Sequence, residues 1–249
     1  MEFVVIVEGP DDARTACDLA DRVVVEDGPH WLDPHTRDAM RTWTGLPPDA
    51  DDFTQWVEIK ELAQNRGVRN LGFPKSGQPG GADLAQARKA ILLHVLMREQ
   101  EDNPALLLIR DTDAERHSRS DFEQARRQPE TPERLAVVIG VAHPKREAWI
   151  LNGFDPEDDD EVERLEDLRQ EIGCDPRTEA HTLTASSTSA PNNAKRVLGK
   201  LVQSDAREQR CWTETDLSIL RKRGRETGLR AYLEEIKDRL LPLFHPRPE

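Results

Sequence analysis

The chain has 249 residues, of which 33% are charged and 36% hydrophobic, and its formal net charge is −13. This charge opposes long-range attraction to phosphate backbones and excludes a protein that coats nucleic acid without specificity. Its longest apolar runs fall far short of the roughly 18 residues of a membrane span. The first residues lack the basic region of a signal peptide, and three scattered cysteines without a CxxC motif fit a reducing compartment. We therefore expect a cytoplasmic protein without a membrane partner.

The N-terminal residues predict a strand followed by a helix. Residues 3–7 form a continuous apolar run that ends at Glu8-Gly9-Pro10, which is typical of a buried parallel strand entering a turn. We expect Asp11 or Asp12 to cap a helix over residues 13–20. The β-branched residues 22–25 predict a second short strand.

An α/β pattern continues along the chain after a less regular stretch. Residues 26–81 mix Pro, Gly, Asp and Trp, and this composition predicts an insertion or lid with one helix over 53–65. Helices are predicted over 83–101, 120–127 and 147–151, and strands over 105–109 and 135–141. The alternation favours an α/β fold with a largely parallel sheet flanked by helices.

The last third of the chain has an uneven charge distribution. Ten acids and two arginines in 155–171 predict a solvated linker or exposed helix, which places a boundary between a domain 1–154 and a C-terminal helical segment 155–249. Residues 195–230 carry ten basic and five acidic residues, a local charge of +5. This charge predicts contact with nucleic acid through four residues, Arg221, Lys222, Arg223 and Arg225. A solvated or partner-facing surface explains these residues equally well.

Carboxylates follow two of the predicted strands. Glu8 ends the first strand, and Asp111 and Asp113 follow the strand over 105–109. Parallel sheets bind ligands beyond the carboxyl ends of their strands, so acids from both loops are expected to meet there. Such acids suit Mg²⁺ or Mn²⁺, which would also neutralise their repulsion. The alternative is that Asp111 and Asp113 are turn or N-cap residues and that Glu8 is a solvated loop acid.

Two motifs resemble the TOPRIM domain, the metal-binding α/β module of topoisomerases, primases and overcoming-lysogenization-defect (OLD) nucleases. They are VIVEGPDD at residues 5–12 and LLIRDTD at 107–113, and the resemblance extends to about residue 151. Asp12 occupies the position of a second acid in the OLD branch. Residues 141–151, which contain Glu-Ala-Trp, and the lysine within 193–198 are similar to segments of small bacterial TOPRIM-like proteins of uncharacterised function.

The resemblance implies roles for individual side chains. Glu8 would be a metal ligand or general base, and further ligands would be Asp12, Asp111, Asp113 and Glu147. Lys195 would offset the charge of the pentacoordinate phosphate. Glu147 is otherwise a helix N-terminal acid, and Lys195 a solvated lysine.

The resulting hypothesis is a Mg²⁺- or Mn²⁺-dependent nuclease acting on DNA or RNA, with anti-phage defence implied by the OLD resemblance. A non-catalytic regulatory subunit of an ATPase or effector complex is the alternative, and a phosphoesterase with a small substrate is a third option. Topoisomerase activity is not expected, because the single tyrosine, Tyr232, lies in a predicted C-terminal helix. We expect His143, at a strand end, to be a hydrogen-bonded structural residue.

Overall fold

The computed structural model describes residues 1–47, 50–68, 81–98, 104–112, 118–128 and 131–245. Within these residues the strands are β1 (Glu2–Val7), β2 (Thr42–Thr44), β3 (Thr54–Gln55), β4 (Ala105–Asp111) and β5 (Ala136–Ala142). The helices are α1 (Pro10–Glu26), α2 (Pro34–Met40), α3 (Ile59–Asn65), α4 (Ala82–Met97), α5 (Ser118–Arg126), α6 (Arg146–Gly153), α7 (Asp159–Ile172), α8 (Ala194–Leu201), α9 (Asp205–Thr213), α10 (Leu217–Arg223) and α11 (Leu229–Glu235). No helix in this part of the chain is long and apolar enough to cross a membrane.

The strands form one sheet in the order β2-β1-β4-β5, and β3 also pairs with β1. β1 is parallel to β2, β3 and β4. Ala136 N donates to Pro104 O at one end of the β4–β5 pair and Thr112 N donates to Ala142 O at the other, so these strands also run in the same direction. The predicted α/β class with a parallel sheet and flanking helices is confirmed.

The chain divides into two compact units. Unit 1 consists of Met1–Arg110, His117–Gly140 and Glu234–Glu249, and unit 2 consists of Asp111–Arg116 and Val141–Leu233. This division falls elsewhere than the boundary that the sequence predicts after residue 154.

Helix α1 is longer than predicted and includes the residues assigned to a second strand. It begins at Pro10, after an extended Gly9 that has no side-chain cap, so Asp11 and Asp12 lie in the first turn and the predicted capping role is wrong. Proline suits the first helical position because its fixed φ is helical and its missing N–H has no partner there. The predicted strand over 22–25 is also wrong, because Val23 and Val24 continue the buried face of α1.

The stretch 26–81, predicted as an insertion or lid, contributes to the sheet through its described residues. It supplies β2 and β3, and α3 begins only at Ile59, because Thr54 and Gln55 extend alongside β1. Arg98 anchors this stretch from the end of α4. Its guanidinium is buried, donates to the carbonyls of residues 45, 46 and 47, and pairs with Glu2 at 2.7 Å.

The C-terminal residues complete unit 1. The Glu235 carboxylate accepts hydrogen bonds from Arg126 at 2.5 Å and Arg119 at 3.3 Å, both on α5. The Phe244 ring meets the edge of Phe3 in β1, with 5.7 Å between the ring centroids. The last segment of the chain therefore packs on its first strand.

The acidic segment of unit 2 is a packed helix. Asp158 caps α7 by accepting from Glu161 N, and Gly173, at φ 75°, ends it. The Glu161 carboxylate is buried and binds Arg207 of α9 through bonds of 2.7 and 2.9 Å. Of the two forms left open by the sequence, linker or helix, the structure shows a helix.

Candidate functional site

The turn after β1 brings two predicted site residues together. Residues Phe3–Val7 of β1 are fully buried, whereas Glu8 is exposed and Asp12 is half-buried. A Cβ atom at position 9 would lie 3.7 Å from Asp12 Oδ2, so the Asp12 carboxylate lies over the same turn that carries Glu8. Negative side chains in the first turn of α1 are also stabilised by the helix dipole.

An arginine and a third acid lie close to Glu8 in unit 1. Neither of them was identified as a site residue from the sequence. Arg110 Nε lies 3.1 Å from Asp83 Oδ1, in the first turn of α4, and 3.9 Å from Glu8 Oε1. The guanidinium also lies over the Trp56 ring, 5.6 Å from its centroid, and Trp56 Nε1 donates to Ile109 O at 2.6 Å. Glu8 and Asp83 thus both lie near the Arg110 guanidinium at the end of β4. We call Glu8, Asp12, Asp83 and Arg110 the β1 turn cluster.

The β1 turn cluster offers carboxylate oxygens, the ligand type that Mg²⁺ and Mn²⁺ prefer. Among the described residues, however, no three His, Cys, Asp or Glu side chains lie close enough together to form a ready-made metal site. Asp113, one of the predicted ligands, lies outside the described residues. Of the predicted ligands, Glu8 and Asp12 lie in unit 1.

Asp111 begins unit 2 and contacts the start of α6. Its Oδ1 accepts a hydrogen bond of 3.0 Å from the backbone N–H of Arg146, the first residue of that helix. Glu147 lies half-buried in the first turn of α6. Asp111 is the last residue of β4 and bonds to a helix that begins 35 residues later, whereas Glu147 occupies the helix N-terminal position that its alternative describes.

His143 takes part in a buried hydrogen-bond network, as expected for a structural residue. Its Nδ1 lies 2.6 Å from Thr112 Oγ1, and its backbone N–H donates to Thr227 O. Trp149 Nε1 donates to the same carbonyl at 2.8 Å, and its ring stacks on Tyr232 with 5.1 Å between the centroids. The tryptophan of the Glu-Ala-Trp segment is therefore a core residue.

Lys195 lies in the first turn of α8 and is exposed. Its neighbours Arg196 and Lys200 both pair with Glu171 of α7, at 2.7 and 2.5 Å. Within the described chain, the Lys195 ammonium forms no ion pair.

The four basic residues predicted to contact nucleic acid have different environments. Arg221, Lys222 and Arg223 form the last turn of α10, and Arg225 follows it. Arg223 donates to the carbonyls of Asn152 and Phe154 and pairs with the Asp155 carboxylate at 2.8 Å. These bonds bind the C-terminal end of α6, so Arg223 has a structural role that the sequence did not indicate. Lys222 and Arg225 are exposed.

Comparison with protein-family models, curated proteins and solved structures gave no match to this chain. Any family assignment therefore depends on the sequence motifs.

Proposed function

We propose that this protein is a divalent-metal-dependent nuclease with a TOPRIM-like domain, in which Glu8 is a metal ligand or general base. The observation that supports this most directly is the β1 turn cluster. It places exposed and half-buried carboxylates just beyond a fully buried central strand, where parallel sheets bind ligands.

In the proposed reaction, a water oxygen attacks phosphorus, Glu8 accepts a proton of that water, and the bond from phosphorus to the leaving oxygen breaks. The leaving oxygen takes up a proton from solvent. Bound Mg²⁺ or Mn²⁺ would lower the pKa of that water and offset charge on the phosphate oxygens. Asp12 would share the cation with Glu8. Asp111 and Asp113 are proposed as further ligands, and Lys195 as a cation that offsets charge on the phosphate.

The test is the Mn²⁺-dependent cleavage of single- and double-stranded DNA and RNA by the Glu8→Gln variant. We expect a loss of at least about 100-fold in rate, since a general base contributes roughly 10²- to 10⁴-fold. The matched control is Glu61→Gln, because Glu61 is an exposed acid of α3 in the same unit. Glu2 is unsuitable because it pairs with Arg98. Equal cleavage by Glu8→Gln and wild type would refute the proposal.

Two substitutions of Asp111 are needed to separate a role in metal binding from its contact with α6. Asp111→Asn keeps an oxygen that can accept from Arg146 N but removes the charge that a cation needs. Asp111→Ala removes both. We expect Asp111→Asn, like Asp113→Asn, to lose cleavage while retaining wild-type stability, whereas Asp111→Ala loses about 1 kcal/mol of stability as well, as measured by urea unfolding. Retention of full activity by Asp111→Asn would show that the residue only caps α6.

A non-catalytic regulatory subunit is the second candidate, and two observations favour it. Asp111 hydrogen-bonds to the start of a helix, and Arg110, 3.9 Å from Glu8, already supplies positive charge beside that carboxylate. On this proposal, the purified chain cleaves neither DNA nor RNA with Mg²⁺ or Mn²⁺ and acts through a partner such as an ATPase. Cleavage that survives purification to constant specific activity and is abolished by Glu8→Gln would rule it out.

A further inference from the structure

Unit 1 contains an open pocket of about 520 Å³ along one side of α1. Its walls come from the first half of α1, from β2 and from the residues just before β3. Small-molecule sites in proteins typically measure about 300–1,000 Å³, so the pocket can hold one compact ligand.

Two aromatic side chains, Trp43 and Phe53, line the pocket and are both half-buried. The Trp43 ring is held by the edge of Phe3, at 5.6 Å between centroids, and by the Arg41 guanidinium, 4.9 Å from its centroid. Arg41 is itself fixed by an ion pair with Asp21. Phe53 has no ring contact within the described residues. A planar ligand would therefore meet one preorganised ring and one that lacks a stacking partner.

Burial at the Cys17 side of the pocket favours an uncharged ring there over a phosphate. Burial is the largest cause that raises the pKa of the Cys17 thiol well above its usual value; the negative charge of Asp21 adds to it and the positive charge of Arg41 opposes it. The part of the pocket next to Cys17 is thus unfavourable to a charged group. Arg14, on the exposed side of α1, also lines the pocket and is a suitable contact for a phosphate at its mouth.

Asp52 gives the pocket a hydrogen-bonding preference. Its carboxylate lines the pocket, is exposed, and forms no hydrogen bond or ion pair with any other described residue. A carboxylate only accepts hydrogen bonds, so it favours a ring with an exocyclic amino group, such as cytosine, over thymine.

We propose that this pocket binds one unstacked, amino-bearing nucleobase of a single-stranded nucleic acid. The inference rests on the proposed nuclease function and specifies its substrate. Pro10 lines the pocket and lies two residues from both Glu8 and Asp12. Two residues span at most about 7 Å, so the Pro10 end of the pocket adjoins the turn that carries Glu8. An unstacked base is more accessible in a single strand than in a duplex.

The experiment measures the binding of hexadeoxycytidylate and hexathymidylate in EDTA, where metal-dependent cleavage does not occur. The readout is quenching of tryptophan fluorescence in a Trp31→Phe background, which removes the signal of an exposed tryptophan. We expect Phe53→Ala to weaken binding by about 5- to 150-fold, the usual effect of losing one stacked base. Asp52→Asn should reduce the preference for the cytosine oligonucleotide, and Arg14→Ala should lower the salt slope by about 0.7. Lys60→Ala, an exposed lysine of α3, is the control and should change none of these values.

Three results would overturn the proposal, and they differ from those that test catalysis. The first is no binding by wild type. The second is binding by Phe53→Ala and Asp52→Asn equal to that of wild type. The third is duplex DNA that competes as well as the single strands. Asp52 is exposed, so its variant remains informative if Phe53→Ala does not fold. Glu8→Gln should retain oligonucleotide binding in EDTA while losing cleavage, so failure of the pocket and failure of the nuclease proposal are distinguishable.

Discussion

The buried ion pair between Glu161 and Arg207 allows a quantitative test of how unit 2 is stabilised. The two side chains are 6% and 8% exposed and share two hydrogen bonds. Removing one partner leaves an uncompensated buried charge, which costs about 3–5 kcal/mol. Arg207 also donates to Asp155 O at 2.6 Å, and Arg207→Met leaves the Glu161 carboxylate with Arg164 only at 3.8 Å, so we expect this variant to be near the upper end of the range. Glu161→Leu should be near the lower end, because Glu157 lies 3.4 Å from the remaining guanidinium.

The double variant Glu161→Leu/Arg207→Met distinguishes charge from packing. Since hydrophobic residues of similar volume often replace a buried ion pair without loss, its free energy of unfolding should approach or exceed that of wild type. The assay is urea unfolding followed by the fluorescence of Trp149 and Trp212, two buried tryptophans of unit 2. Single substitutions that each cost less than about 1 kcal/mol, or a double variant with the summed loss, would refute the reasoning.

The same pair predicts a pH dependence. The hydrogen bond from Arg207 outweighs burial and lowers the pKa of Glu161 below its usual value. The stabilisation is therefore fully present above the unfolded pKa of about 4.3 and is lost as the pH falls through the lower folded pKa. We expect Glu161→Gln to destabilise the protein at pH 7 and to differ less from wild type at pH 3.

Three further predictions concern unit 2. Gly228→Ala should cost at least about 2 kcal/mol in urea unfolding, because φ is 82° and the new Cβ would lie 2.1 Å from Val141 O; wild-type stability would contradict this. Burial raises the pKa of Asp175, but hydrogen bonds from two arginines outweigh it and lower the pKa to about 2, so Asp175→Asn should destabilise at pH 7 and less as the pH approaches 2. Replacing Lys222 and Arg225 with alanine should lower the salt slope of DNA binding by up to about two units without loss of stability, and an unchanged slope would assign them to a solvated surface.

The long core strands were predictable from the sequence, whereas the short ones were not. β1, β4 and β5 are continuous apolar runs, and burial on both faces of a parallel sheet produces that pattern. β2 and β3 have three and two residues, too few to show a period, and their pairing with β1 depends on distant parts of the chain. Val23 and Val24 favour a strand locally, but the apolar period of α1 over 17 residues determines their conformation.

The candidate site was predictable to a similar extent. Glu8 was identified because it follows an unmistakable strand. Arg110 and Asp83 were missed, because their contact joins residues 27 positions apart and no local pattern reports it. Arg223 was assigned to nucleic acid on its basic neighbours alone, whereas the carbonyls it binds become neighbours only after folding.

The order of synthesis has a consequence for unit 1. Its strands and first helices leave the ribosome early, but Glu235 and Phe244, which bind α5 and β1, are made after all of unit 2. Unit 2 is a nearly continuous stretch, so its helices can pack together while unit 1 still lacks its final segment. During translation Phe3 therefore lacks its contact with Phe244 until the segment after unit 2 has been made, so unit 1 cannot complete its packing before unit 2 has emerged.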